Sequence, residues 1–138
     1  MSLVIRVEAD KSAEALQDLL DTFLDDDVLR MHARPQPVNA EPEPGRLSLG
    51  LIGAIEMFIA VADAAELCRH VARAIKRWRT RDEQAASVSV TLELGGKKIV
   101  LPAGEIDTVK AAVAILGLVT ESAAAVAKKP ADDDDAAS

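Results

Sequence analysis

Aromatic rings are nearly absent from this sequence: 138 residues hold two Phe, one Trp and no Tyr. Only Phe23, Phe58 and Trp78 are available, so a core must be built from Leu, Val, Ile and the 25 Ala. Cysteine is equally scarce. A single Cys68 excludes an internal disulfide, and with His32 and His70 as the only imidazoles no zinc ligand spacing can be assembled. Long apolar runs are also missing. The run from Leu47 to Ile55 is stopped by Glu56 and the run from Ala111 to Thr120 by Glu121, against the roughly 20 residues a membrane-spanning helix needs. The opening residues Met1 to Arg6 lack the basic, apolar and cleavage regions of a secretory signal, so a cytoplasmic protein with no membrane partner is expected.

What is present is charge, unevenly placed. The formal net charge is -7. Residues 8–27 hold eight acids, Asp18, Asp21 and Asp25 among them, against the single base Lys11. Residues 69–81 hold six bases (Arg69, Arg73, Lys76, Arg77, Arg79, Arg81) and no acid. Four of the negative charges sit together at 132–135. The sequence thus reads as one α+β domain over 1–129, followed by a disordered acidic tail over 130–138.

Periodicity gives the elements. Leu3, Ile5 and Val7 alternate on one face of an opening strand. Asp10 or Ser12 is suited to cap a helix whose stripe is Leu16, Leu19, Leu20, Phe23 and Leu24, ending near the acids at 25–27. Pro35 and Pro37 cannot donate to a ladder, so any strand over 32–38 is at an edge or very short. From Arg46 to Arg81 the spacing predicts two helices: Leu47, Leu51, Ala54 or Ile55, Phe58 and Ala62 in the first, with Gly50 and Gly53 as costly interior residues, then Leu67, Val71, Ala74 or Ile75 and Trp78 in the second. Val88, Val90, Leu92 and Leu94 alternate with polar residues in the clearest strand. Gly95-Gly96 turns it into a partner strand at 97–101. Ile106, Val109, Val113 and Leu116 lead a last helix from about Glu105 to Lys128. The expected order is β-α-β-αα-β-β-α: a small mixed sheet of three or four strands with a C-terminal hairpin and helices mainly on one face.

No catalytic motif emerges. Cys68 and His70, two apart on a helix, point about 200° from one another and cannot act as nucleophile and base. Cys68 reads as a core residue, and Glu66 with His70 as a salt-bridged solvated pair. Ser48 lacks the preceding Gly of a nucleophile elbow, and the glycines do not form a phosphate loop. No enzyme activity, cofactor or metal site is expected. The basic run at 69–81 suits either an acidic protein partner or phosphates, and the acidic first helix offers a complementary surface to another copy.

The run Trp78-Arg79-Thr80-Arg81, then Val88-Ser89-Val90-Thr91-Leu92 and Gly95-Gly96-Lys97-Lys98-Ile99-Val100-Leu101, resembles the effector-associated constant component family of actinobacteria, first type. So do Ile5-Arg6-Val7-Glu8, Leu24-Asp25-Asp26-Asp27-Val28-Leu29-Arg30, and Pro44-Gly45 before a helical pair rich in small residues. The likeness covers about residues 3–118. It implies a non-catalytic constant subunit found with variable effectors, such as caspase-like or trypsin-like proteases, in bacterial immunity or conflict systems. The expectation is an adaptor or scaffold that binds an effector and itself through Arg69, Arg73, Lys76, Arg77, Arg79, Arg81, Asp18, Asp21 and Asp25. The alternative is a nucleic-acid-binding regulator using the basic helix.

Overall fold

A computed structural model describes residues 1–8, 12–39, 52–81, 83–104 and 106–137, with the side chains of 12, 83–84 and 125–137 outside the description. The elements are β1 (Ser2–Glu8), α1 (Ser12–Asp25), β2 (Gln36–Asn39), β3 (Ile52–Phe58), α2 (Ala64–Arg81), α3 (Glu83–Ala86), β4 (Ser89–Leu94), β5 (Lys97–Leu101) and α4 (Thr108–Ala137). The α+β class is as expected. The sheet is larger than expected and antiparallel throughout, with five strands in the order β2-β3-β1-β4-β5.

The added strand corrects the predicted helical pair over 46–81. Residues 52–58 form β3, paired on one side with β1 (Leu3 opposite Met57, Ile5 opposite Ile55) and on the other with β2. A short apolar run fits both the helical and the strand period, and local spacing cannot choose between them. Two flanking strands can. In β3, Ile55 and Met57 are buried while Glu56 and Phe58 are exposed, and Gly53 no longer carries the cost of a helix interior. The proposed start of that helix at Arg46, the loop at Pro42 to Gly45, and the capping by Asp10 or Ser12 lie outside the described residues or side chains.

The sheet is two-faced because its strands alternate. Leu3, Ile5, Val7, Ile55, Met57, Val90, Leu92 and Leu94 point into one buried core. On the other face, Val4 lies between Glu56 and Glu93, and Arg6 bridges to Glu93. α1 packs on β1 and β3, α4 on β4 and β5, and α2 lies against both helices. The stripe Leu16, Leu19, Leu20 and Phe23 is buried, as is Leu67, Val71, Ala74, Ile75 and Trp78. β2 carries Pro37 and takes the sheet edge, where a missing N–H costs no ladder bond. At the hairpin turn, Gly95 has φ +61°, and a Cβ there would come within 2.7 Å of Ser122 Oγ on α4.

α4 departs from its predicted phase. Asp107 Oδ1 accepts from the N–H groups of Val109 and Lys110 at 3.0 and 3.1 Å, so the helix starts at Thr108 rather than near Glu105, which lies outside the described residues. The buried side of α4 is Ala111, Ala112, Ile115, Leu118 and Val119, which leaves Val109 and Val113 71% and 63% exposed instead of in the core. The backbone of α4 continues to Ala137; of the expected tail at 130–138, the side chains of 130–137 and the whole of residue 138 lie outside the description.

Candidate functional site

Burying one stripe of α2 fixes what the opposite side presents. Arg69, Arg73, Lys76 and Arg77 all face outward. Arg69, Arg73 and Lys76 stand at i, i+4 and i+7, one ridge of the helix, and their side chains make no hydrogen bond or ion pair among the described residues. Arg77 and Arg81 lean towards α1: Arg77 Nη2 is 3.7 Å from Asp26 Oδ2, and Arg81 Nη2 donates to Thr22 Oγ1 at 2.7 Å. Asp18, Asp21 and Asp25 are exposed on α1, so the acidic and basic helices of the sequence lie side by side in one layer.

Arg79 is a correction to the predicted surface. It is 5% exposed and turned inward, donating through Nη2 to the carbonyls of Val88 (3.0 Å) and Leu101 (2.9 Å) and through Nη1 to that of Gly104 (3.3 Å). Those carbonyls belong to the entry of β4, the end of β5 and the loop before α4. A guanidinium suits the position because its donors fork from one plane. Burial lowers the Arg79 pKa, and its place is structural rather than at a docking surface.

Between α2 and α4 the unpaired ridge borders a cleft of about 250 Å³ lined by Arg69, Arg73, Val109, Ala112, Val113 and Leu116. A second cleft of about 520 Å³ adjoins it, sharing Arg73 and Thr108 and adding Lys76, Arg77 and Thr80. The walls are therefore basic on the α2 side and apolar on the α4 side. Sequence reasoning found the bases. It missed the apolar wall, because Val109 and Val113 fit a core stripe as well as they fit this one.

Also missed was the partner of His70. Its Nδ1 lies 2.9 Å from Asp26 Oδ2, and its Nε2 is 3.9 Å from Glu66 Oε1. Forty-four residues separate Asp26 from His70, and no spacing rule connects them. Asp26 Oδ1 also accepts from the Leu29 N–H at 3.1 Å, at the head of the π-type turn Leu29–Ala33. Burial pushes the Asp26 carboxyl up, but the hydrogen bonds from His70 and the Leu29 N–H outweigh it and hold the group below the usual carboxylate range. The cluster joins α1 to α2. Cys68, fully buried one position from Leu67, is held as a thiol by burial, which pushes its pKa up to about 11.

Among the described residues no group of three or more His, Cys, Asp or Glu is placed to hold a metal ion, and no helix is long and apolar enough to cross a membrane. No curated protein and no solved structure is matched by this chain. The family profile described as Effector Associated Constant Component 1 matches residues 8–126. That span runs from the end of β1 through α1, α2, the hairpin and α4 as far as residue 126, and includes both walls of the α2–α4 groove and the Asp26–His70 joint. The chain belongs to the Effector Associated Constant Component 1 family.

Proposed function

We propose that this protein is a non-catalytic adaptor or scaffold that binds an effector protein, such as a caspase-like or trypsin-like protease, in a cytoplasmic bacterial immunity or conflict system. The family description supplies the association with effectors. The observation that carries the adaptor role is the ridge Arg69, Arg73 and Lys76, three exposed cations with no side-chain partner among the described residues, on a chain of formal net charge -7. Segregated charge of this kind steers and orients protein association more than it stabilises a fold. Stability here comes from the buried stripes and from Arg79, which does not compete for the surface.

Phosphate recognition would use the same bases, yet Trp78 is 1% and Phe23 0% exposed. The remaining ring, Phe58, lies on the opposite face of the sheet, so the basic ridge has no stacking platform beside it. Co-purification of the tagged chain with the proteins encoded beside its gene tests the adaptor reading. An effector is expected to co-elute and to be lost when Arg69 and Arg73 are both changed to Glu. A monomer without partner, indifferent to that reversal, contradicts it.

A further inference from the structure

The groove between α2 and α4 has a pattern that specifies its occupant. Arg69 and Arg73 on one wall are continued at i+7 by Lys76, which lines the adjoining cleft, and Val109, Val113 and Leu116 on the other wall repeat at i, i+4 and i+7. Each ridge therefore runs about 10 Å along its helix. Val109 and Val113 are more than three-fifths exposed, so one wall offers apolar area and the other positive charge that is unpaired among the described residues. From this geometry we infer that the groove is a docking site for an acidic amphipathic helix of a partner protein, with carboxylates at i, i+4 and i+7 along one edge and large aliphatic side chains along the next.

The acidic helix of this chain is the nearest competitor and does not fit. Glu14, Asp18, Asp21 and Asp25 have the right steps, but they lie opposite the apolar stripe, and that stripe (Leu16, Leu19, Leu20 and Phe23) is buried in its own core. A second copy presenting α1 would bring charge to Arg69 and Arg73 but would keep its apolar stripe away from Val109 and Val113. Residues 132–135 fail in the same way, being four Asp flanked by Ala. Two grooves face to face would set like charges against one another.

This inference rests on the adaptor reading for its biological sense, but its test does not. The probe is a fluorescein-labelled helical peptide of about five turns with Glu at i, i+4, i+7 and i+11 and Leu on the adjoining edge, titrated with the full chain by anisotropy. Saturable binding on the order of 1–100 μM is expected, weakened about tenfold or more by Val113→Asp and by Arg69→Glu with Arg73→Glu. A peptide with Lys for each Glu is expected to bind the Arg69→Glu, Arg73→Glu chain instead. Because all three positions are exposed, unchanged far-UV circular dichroism will show that the variants fold. Equal affinity for a sequence-scrambled peptide, tighter binding of a 20-base-pair duplex, or concentration-dependent self-association abolished by Val113→Asp overturns the assignment. An effector that still co-purifies with the Val113→Asp chain also overturns it while leaving the adaptor reading intact. A peptide that binds while no effector ever co-purifies supports the groove and sinks the adaptor.

Discussion

Asp26 and His70, 2.9 Å apart, tie the end of α1 to the middle of α2, and the carboxylate of this pair is nearly sealed from solvent. Its hydrogen bonds outweigh the burial that opposes ionisation and hold Asp26 below its ordinary pKa. The sign of the resulting pH dependence is fixed. A carboxyl whose pKa is lower folded than unfolded adds stability above the unfolded value of about 3.9 and loses that addition as pH falls through the folded value. Urea unfolding followed from pH 7 to pH 2 is expected to show an acid limb in the native chain that Asp26→Asn flattens. At pH 7 the same substitution is expected to cost about 1–3 kcal/mol, since a charged acceptor serving two donors is lost from a buried site. An unchanged acid limb in Asp26→Asn contradicts this account of the pair.

Arg79 is the base in the 69–81 run on which the fold depends. Removing it leaves the carbonyls of Val88, Leu101 and Gly104 short of a donor where β4, β5 and α4 meet. Arg79→Met is expected to lower unfolding free energy by roughly 3 kcal/mol, from the two buried acceptors, the Val88 and Leu101 carbonyls, worth about 1–3 kcal/mol each. Arg79→Lys should recover only part, because one ammonium cannot reproduce the fork. Arg73→Met, on the exposed ridge, should leave the urea midpoint where it was. Equal loss in the Arg73 and Arg79 variants would mean that the guanidinium network is not what distinguishes them.

Cys68 offers a direct readout of core opening. Its side chain is fully buried beside Leu67 and Val71, and burial pushes its pKa up to about 11, so little thiolate exists at neutral pH. Ellman's reagent is expected to react only as the domain unfolds, with a midpoint that coincides with the loss of helical circular dichroism. Rapid labelling of the native protein would show that α2 detaches from the core without global unfolding.

Much of this was legible from residues alone, for local reasons. The alternation through Val90, Leu92 and Leu94 with Gly95-Gly96 after it allows only a hairpin, and the stripes of α1 and α2 each run long enough to exclude a strand. Where two periods fit, tertiary pairing decided. Residues 52–58 became a strand because β1 and β2 flank them. In α4 the small residues Ala111 and Ala112 take the buried side and push Val109 and Val113 outward, a choice set by how closely α4 approaches α2. For the site, composition located the basic helix but not its division. Five of the six bases stay at the surface and Arg79 turns inward, because carbonyls at the entry of β4 and the end of β5 converge on that one position. The Asp26–His70 pair was invisible for the same reason: its two halves meet only once α1 lies along α2.

Isothermal titration of the purified chain with each candidate effector protein encoded near its gene addresses the central claim most directly. The account predicts a saturable complex whose affinity falls with added salt and drops about tenfold or more in the Arg69→Glu, Arg73→Glu chain, while Lys98→Glu on the opposite sheet face leaves it unchanged. Two folded proteins that give no binding heat and elute separately, or a complex indifferent to the Arg69 and Arg73 reversal, would contradict it.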